Sequence, residues 1–168
     1  MQKSRELAKS PKRLAVDSKE AAALLLDNQM CFALYSVSLT MTKIYKPLLT
    51  QLDLTYPQYL VLLVLWKQDK QAVSELGERL FLDSGTLTPL LKRLEALNYV
   101  RRERDAADER RVIVSLTPAG RALRRRALTV HEKVAYATQC SAGERALLTR
   151  QLGHLRTALK QSLAESSE

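Results

Sequence analysis

Two cysteines could carry thiol chemistry in this chain of 168 residues, Cys31 and Cys140. Peroxides attack a thiolate rather than a thiol, and hydrogen bonds from phenolic hydroxyls favour the thiolate. Four of the six tyrosines follow Cys31 within 28 positions. They are Tyr35, Tyr45, Tyr56 and Tyr59. Cys31 is therefore a candidate redox-sensing residue, and the alternative for a cysteine on an apolar helix is a buried, unreactive side chain.

The spacing of these residues also bears on assembly. Tyr35 follows Cys31 by one helical turn, so the two side chains can meet within one subunit. Tyr45 follows Cys31 by fourteen residues, which is about 21 Å along a continuous helix. It cannot contact the thiol of its own chain. If Tyr45 serves Cys31, it must come from a second subunit whose first helix runs in the opposite direction.

Neither cysteine has a second Cys or His at the spacing of metal ligands, and the two lie 109 positions apart. The sequence therefore predicts no metal site, no cofactor and no disulfide scaffold. The longest apolar run, from Tyr59 to Trp66, is far shorter than the roughly 20 residues that cross a bilayer. With no signal-peptide pattern at its start, the chain is expected to be cytoplasmic, with reduced thiols and no membrane partner.

Composition and charge favour a globular domain with an anionic partner. Apolar residues make up 46% of the chain, and the net charge is +9. The excess is concentrated in residues 1–13, which sum to +4, and in residues 92–126, which sum to +6. Nucleic acid is one such partner. The first cluster, with Ser, Pro and Lys but no apolar periodicity, predicts a mobile arm that either contacts DNA or has no function.

Apolar periodicity predicts helices in the first half of the chain. A long helix is expected from Ser18 to about Leu49, with a bend near Pro47. Thr55 and Gln58 form a capping box that opens a second, apolar helix. Two short helices joined by a tight turn follow, at about 73–80 and 84–97. The second of them contains a proline.

Pro89 leaves two possible starts for that second short helix. Either Asp83 caps the helix, which then kinks at the proline, or Thr86 caps it. In the second case Pro89 is the third helical residue, where a missing N–H has no helical partner to lose. The second start is favoured.

Two β-prone runs, 99–104 and 111–117, predict a hairpin around a polar turn. A long basic helix then begins near Thr117, and a capping box of Ser141 and Glu144 opens the last helix. One face of that helix carries a leucine stripe. Long apolar helices at both ends of a small chain indicate a homodimer. The stripe is formed by Leu148, Leu152, Leu155, Leu159 and Leu163.

The order helix, turn, helix and basic hairpin predicts a winged helix-turn-helix that binds double-stranded DNA. On the reading helix, hydroxyls could contact bases or phosphates, and two basic residues could contact phosphates. At the wing tip Arg110 could enter the minor groove while Asp108 orients its guanidinium. The alternative for a basic hairpin is a merely solvated surface. The reading-helix candidates are Ser84, Thr86, Thr88, Lys92 and Arg93.

Residues 73–120, VSELGERLFLDSGTLTPLLKRLEALNYVRRERDAADERRVIVSLTPAG, resemble the winged helix of the MarR family of bacterial regulators. The run LFLDSGTLTPLLKRLE is similar to the organic-hydroperoxide-sensing (OhrR-type) subgroup. Resemblance of some kind extends from about Leu26 to Leu163. It implies a mainly α fold with a small β-wing that dimerises through its N- and C-terminal helices.

The subgroup has a reactive cysteine near the start of the first helix, served by tyrosines fourteen and twenty-five positions later from the other chain. Those spacings land on Tyr45 and Tyr56. Some members have a second cysteine near the start of the last helix, which forms an intersubunit disulfide with the first. Cys140 is placed like that second cysteine, and the alternative for it is a free, unreactive thiol.

Together these features predict a homodimeric repressor that leaves operator DNA when an organic hydroperoxide oxidises Cys31, with cellular thiols as reductant. The closest alternative is a MarR-type repressor released by a small aromatic ligand, with Cys31 incidental. A peroxide-reducing thiol enzyme is disfavoured, since no thioredoxin-like pattern or Cys-x-x-Cys is present. The expected segments are a basic arm (1–17), a dimerisation and sensing helix (18–54), the winged helix (55–120) and C-terminal dimerisation helices (121–168).

Overall fold

The computed structural model describes residues 22–166, so the predicted basic arm and the predicted helix start at Ser18 lie outside the described residues. The chain divides into two compact units, residues 1–41 and 42–168. Within the described residues the fold is mainly helical. In chain order it comprises a short 3-10 helix (Leu26–Asn28), α1 (Met30–Thr50), α2 (Tyr56–Lys67), β1 (Gln71–Ala72), α3 (Val73–Leu80), α4 (Ser84–Ala96), β2 (Val100–Arg104), β3 (Val112–Leu116), α5 (Pro118–Ala137) and α6 (Ala142–Glu165).

The prediction of one uninterrupted first helix up to Leu49 is wrong. Leu25 and Gln29 have extended backbone conformations on either side of the 3-10 turn, and α1 begins only at Met30. Side-chain amides compete with the helical ladder here. Asn28 Nδ2 donates to the Ala22 carbonyl at 2.8 Å, and Gln29 Nε2 donates to the Ala23 carbonyl at 2.5 Å. Pro47 lies inside α1, which continues to Thr50.

The core of the second unit forms around α2. The predicted capping box is confirmed, because Gln58 Oε1 accepts a hydrogen bond from the Thr55 backbone N–H at 2.8 Å. Val61, Leu62 and Leu65 are buried on this helix. The helix is apolar because α3, α4, α5 and β3 all pack against it.

A three-stranded antiparallel sheet in the order β1-β3-β2 forms the wing and its base. The predicted hairpin is confirmed, with β2 and β3 paired from Val100 opposite Leu116 to Arg104 opposite Val112. Strand β1 was not predicted from the sequence, because residues 67–71 are polar. A two-residue strand has no alternating pattern, and this one pairs with distant residues, Gln71 with Val114 and Ala72 with Ile113, which lies 41 positions away.

The last two helices differ in how much they bury. Helix α5 is capped by Thr117, whose hydroxyl accepts from the Gly120 N–H at 3.0 Å, and it buries Leu123, Ala127, Val130 and Val134. Helix α6 begins at the predicted capping box, with Ser141 N–H donating to Glu144 Oε2 at 2.7 Å, and it buries no residue. Among the described helices, none combines the length and apolarity that a membrane span requires.

Candidate functional site

A helix-turn-helix is formed by α3, the turn Phe81–Asp83 and α4. The turn is tight because Phe81 adopts a left-handed conformation, with φ 57°, and the Leu82 N–H donates to the Gly77 carbonyl at 3.0 Å. A Cβ at position 77 would lie 2.8 Å from the Leu82 carbonyl oxygen, so only glycine fits. A large side chain in the left-handed region is strained, and such strain is concentrated at functional turns.

Helix α4 begins at Ser84 and is capped by Asp83, which corrects the prediction of a Thr86 cap. One Asp83 carboxylate oxygen accepts the Thr86 N–H at 2.8 Å, and the other accepts the Thr86 hydroxyl at 2.8 Å. These hydrogen bonds hold the pKa of Asp83 below its usual range. Pro89 is therefore an interior residue that cannot donate to the Gly85 carbonyl. The two bonds that Thr86 gives to Asp83 favour the earlier start.

The polar face of α4 carries all five predicted reading-helix residues. Leu87, Leu91 and Leu94 are buried on its other face. The hydroxyl of Thr88 donates to the Ser84 carbonyl at 2.7 Å, and the hydroxyl of Thr86 belongs to the cap. Both threonine hydroxyls thus stabilise the helix start as donors, and their oxygens can still accept hydrogen bonds at the helix surface. Four of the five candidates are exposed, namely Ser84, Thr86, Lys92 and Arg93, and Thr88 is half-buried.

The wing tip presents Arg110 to solvent. Its side chain is 94% exposed, and its Nε lies 3.4 Å from Asp108 Oδ1. The same carboxylate oxygen accepts the Arg110 backbone N–H at 3.1 Å. The loop is closed by Asp105 N–H donating to the Arg111 carbonyl at 2.9 Å. Asp108 therefore sets the direction of an arginine whose end is free to bind an anion.

Ion pairs tie the wing to the helix-turn-helix. Glu95 of α4 accepts from the Arg102 Nε at 2.8 Å, from its Nη2 at 2.6 Å and from its backbone N–H at 3.0 Å. These bonds lower the pKa of the Glu95 carboxyl. Arg111 of the wing pairs with Glu75 of α3 at 3.2 Å. Neither pair was predicted from the sequence, in which only the alternation of basic and acidic residues indicates ion pairs.

The base of the wing is fixed by Asp69. One carboxylate oxygen accepts the Leu116 N–H of β3 at 2.8 Å, and the other pairs with Arg121 of α5 at 3.0 Å. Trp66 adds a bond from its indole N–H to the Gly120 carbonyl at 2.9 Å. Strand β3, α2 and α5 therefore meet at one rigid point, which orients the hairpin.

Three tyrosines of the second unit form an aromatic cluster. The Tyr45 and Tyr56 rings lie 4.7 Å apart, and the Tyr45 and Tyr59 rings lie 5.9 Å apart. Burial, with smaller contributions from Tyr56 and Tyr59, raises the pKa of Tyr45 to about 12. The phenols are therefore protonated near neutral pH and can donate hydrogen bonds. Tyr35 belongs to the first unit and is exposed.

Both cysteines are free thiols. Cys31 is the second residue of α1 and is exposed. Cys140 is half-buried immediately before the Ser141 cap, and its thiol donates to the Thr138 carbonyl at 3.3 Å. The guanidinium of Arg145 donates to the Cys140 carbonyl oxygen. No cluster of His, Cys, Asp and Glu within residues 22–166 could hold a metal ion.

Comparisons with known proteins identify the same architecture. Residues 43–126 match the family model for the transcriptional regulator SarA/Rot. The chain is 49% identical over 134 residues to the HTH-type transcriptional regulator TtmR of Methylorubrum extorquens, covering 80% of this chain and 69% of TtmR. It is 52% identical over 105 residues to the organic hydroperoxide resistance transcriptional regulator of Bacillus subtilis, covering 62% and 71%.

Solved structures of AbfR from Staphylococcus epidermidis have the same fold. Reduced AbfR bound to DNA superposes with a TM-score of 0.69 at 35% identity, covering 84% of this chain and 99% of AbfR. Its disulfide form gives 0.60 at 38% identity, covering 82% and 97%. The matched relatives are regulators rather than enzymes, and the winged helix is common to them. The chain belongs to the MarR family of DNA-binding transcription regulators, in its OhrR-type subgroup.

Proposed function

We propose that the protein is a homodimeric repressor that leaves its operator when an organic hydroperoxide oxidises Cys31. The pairing of Tyr45 with Tyr56 carries this proposal, because it gathers two protonated phenols that can stabilise a thiolate. The name of the Bacillus subtilis relative supports the choice of oxidant. Cys31 is exposed, as a sensor of a soluble oxidant must be.

The DNA contacts follow from the site geometry. The exposed face of α4 would lie in the major groove, where Ser84, Thr86 and Thr88 contact bases or phosphates. Lys92 and Arg93 would pair with phosphates, and Arg110 would enter the adjacent minor groove with Asp108 beside it. The DNA-bound AbfR structure supports this use of the fold.

Apolar surface supports the homodimer. Leu24 is 86% exposed and Phe32 is 37% exposed in the first unit, and α6 buries none of its leucines. Exposed apolar stripes of this extent mark an interface. A second copy would cover them, with residues 18–54 and 121–168 as the dimerisation segments and 55–120 as the DNA-binding region. The arm at 1–17 would remain free to approach DNA.

The second copy would also complete the thiol site. Fourteen residues of helix correspond to about 21 Å, so the tyrosines near Cys31 would be Tyr45 and Tyr56 of the other chain. Tyr35, one turn from Cys31, would add a donor from the same chain. Two equivalent sites would form in each dimer by symmetry.

The proposed chemistry balances without a cofactor. The Cys31 thiolate attacks the terminal oxygen of the hydroperoxide, the O–O bond breaks, and the alkoxide leaves as an alcohol after taking a proton. Cys31 is then a sulfenic acid. The Cys140 thiol of the partner chain attacks its sulfur, an S–S bond forms and water leaves. Two equivalents of a cellular thiol would reduce this disulfide and restore both cysteines.

DNA release would follow from the geometry of a disulfide. Bridged cysteines need Cα atoms within about 7 Å, and Cys140 sits at the junction of α5 and α6. A bond from this junction to the partner would shift α5, which continues directly from the wing strand β3. The two winged helices would then no longer match the spacing of the two half-sites.

Replacement of Cys31 tests the sensor. The Cys31→Ser variant keeps the size of the side chain and loses the oxidisable sulfur, so it should bind operator DNA and stay bound when an organic hydroperoxide is added. Cys140→Ser is the matched variant, in which the sulfenic acid should persist or be oxidised further. If Cys31→Ser leaves the operator on peroxide treatment as readily as the wild type, Cys31 is not the sensor.

A non-reducing denaturing gel tests the role of Cys140. After about one equivalent of hydroperoxide per subunit, the wild type should run at twice the chain mass, because the bond crosses the dimer. Neither single cysteine variant should do so. A wild type that runs as a single chain, with a sulfenic acid or a mixed disulfide on Cys31, makes Cys140 a bystander.

A second candidate function is release by a small aromatic ligand, and a cavity of about 320 Å³ between α2 and α5 favours it. Tyr59, Leu63, Trp66 and Leu128 line it, and Arg124 could pair with a carboxylate. Aromatic carboxylates such as salicylate should then quench Trp66 fluorescence and release Cys31→Ser from DNA. Absence of both effects would leave oxidation as the signal.

A further inference from the structure

The end of α6 contacts the turn of the helix-turn-helix. The Lys160 ammonium lies 4.1 Å from the centre of the Phe81 ring, and the Arg156 guanidinium lies 4.8 Å from it. Both distances fall within the range of a cation–π interaction. Phe81 is the strained left-handed residue of the turn and is half exposed. A helix that the sequence indicates only for dimerisation therefore also places two cations beside the reading helix.

Lys160 faces the same concave surface as the reading helix and the wing. A cavity of about 840 Å³ opens between them. Ser84 and Thr88 of α4 line it on one side, and Arg110 and Arg111 of the wing line it on another. Lys160 is the contribution of α6. The predicted DNA contacts and this lysine thus border one groove.

The charges around this groove are not equally available. Arg102 and Arg111 are already paired with Glu95 and Glu75. Within residues 22–166, by contrast, Lys160 forms no ion pair with a carboxylate. Its contact with a neutral ring leaves its full charge for an anion outside the chain.

The position of Lys160 on α6 is compatible with dimerisation. At 100° per residue, Lys160 lies about 100° around the helix from Leu159 and about 60° from Leu163, both of which belong to the leucine stripe. Lys160 therefore lies beside the edge of the stripe, and a second copy can meet the stripe while the lysine stays beside Phe81.

We propose that the end of α6 extends the DNA-binding surface, with Lys160 binding a backbone phosphate of the operator that α4 reads. Phe81 holds the lysine in place, and Arg156 adds a second positive charge behind it. A phosphate contact adds affinity without adding sequence preference. This inference rests on the proposed placement of α4 and the wing on operator DNA.

Salt dependence of DNA binding by the full-length reduced protein is the test. Each phosphate contact contributes about 0.9 to the slope of log affinity against log salt concentration. Lys160→Ala should therefore lower the slope by about 0.9 per subunit, and weaken operator and non-operator duplexes by the same factor. Lys160→Arg should keep the slope. Phe81→Leu should lower the slope by less than Lys160→Ala does, because the aromatic ring no longer holds the lysine in place.

Arg150→Ala is the control, since Arg150 carries the same charge type on the same helix and lines none of the cavities described above. Its slope should equal that of the wild type. Melting temperatures of all variants should be compared, so that loss of folding is recognised. An unchanged slope in Lys160→Ala, with a wild type that binds, overturns this inference alone. Tighter binding by Lys160→Ala also overturns it and makes α6 a cover over the groove. A wild type that does not bind DNA overturns the proposed function with it.

Discussion

Glu95 of the reading helix binds Arg102 of the wing through three hydrogen bonds, with the guanidinium Nε and Nη2 and with the backbone N–H. The reading helix and the wing would enter neighbouring grooves of DNA. They are therefore joined by a side chain of one that binds both a side chain and the backbone of the other. Their relative angle is fixed before DNA arrives, so less ordering is required on binding.

Replacement of Glu95 should loosen the wing. Glu95→Gln removes the charge and keeps the shape, and it should lower the free energy of unfolding by about 1 kcal/mol, since the pair is partly exposed. Operator affinity should also fall, because Arg110 is held less firmly over the minor groove. Glu103→Gln is the control, as its pair with Arg101 is exposed and lies within one strand. Equal effects of the two variants would contradict the account.

The same pair predicts a pH dependence. Hydrogen bonds from Arg102 lower the pKa of Glu95 from an ordinary value of 4.5. A carboxylate with a lowered folded pKa stabilises the fold above its unfolded pKa, and this stabilisation is lost as the pH falls through the folded pKa. The melting-temperature difference between wild type and Glu95→Gln should therefore be full at pH 6 to 7 and shrink at increasingly acidic pH below about 4.5. A difference that grows on acidification would contradict it.

Gly120 should tolerate no side chain. A Cβ there would lie 2.0 Å from the Tyr99 carbonyl oxygen and 3.2 Å from the Leu116 side chain. Gly120→Ala should cost about 2 kcal/mol or more, because backbone must move. By contrast, the Cβ that Gly153→Ala would add to α6 has no atom within 4 Å. It should stabilise the protein by up to about 1 kcal/mol. Chemical denaturation of both variants measures the contrast, and similar effects would contradict the close approach of Gly120 to the Tyr99 carbonyl.

Arg110 should distinguish operators by the width of their minor groove. Narrow A/T-rich grooves have an enhanced negative potential that attracts arginine. Arg110→Ala should weaken binding to such sites by about 1 to 3 kcal/mol, and weaken others less. Arg101→Ala is the control, because it removes an exposed charge from the strand rather than from the wing tip. Fluorescence anisotropy with matched duplexes measures the difference, and an equal loss at all sites would make Arg110 a plain phosphate contact.

Tyr45 should control the reactivity of Cys31. Tyr45→Phe keeps the ring that packs on Tyr56 and removes one hydroxyl donor that can stabilise a thiolate, so oxidation and alkylation of Cys31 should both slow. Because the pKa of Tyr45 is about 12, the effect should be the same throughout pH 6 to 9. Tyr136→Phe alters an exposed ring and should change nothing. Alkylation rates against pH provide the measurement.

Local patterns predicted the starts of three helices. The capping boxes at Thr55 and Ser141 and the Thr117 cap involve partners only three residues away, so the sequence contains the whole interaction. The break before α1 could not be predicted, because competing bonds from the Asn28 and Gln29 side chains leave no sign in apolar periodicity. The Thr86 cap of α4 was wrong, because the two hydrogen bonds that Thr86 gives to Asp83 outweigh the cost of Pro89 inside the helix.

Contacts between distant elements could not be predicted. Strand β1 exists only because residues 113 and 114 lie beside it, and the pairing of Glu95 with Arg102 depends on the turn between them. The contact of Lys160 with Phe81 joins residues 79 positions apart. In the site, the polar face of α4 and the exposed wing arginine were predicted from residue types, because solvent-exposed charges need no tertiary partner. The intersubunit thiol site stays a prediction.

One redox cycle on one sample tests the central claim most directly. The affinity for operator DNA should be measured on the reduced wild type, again after about one equivalent of organic hydroperoxide per subunit, and a third time after excess thiol. We predict tight binding, then a loss of at least about a hundredfold, the size of a large allosteric coupling, and then full recovery. Affinity that is unchanged after the cysteine is shown by mass spectrometry to be oxidised would contradict the claim that Cys31 controls DNA binding.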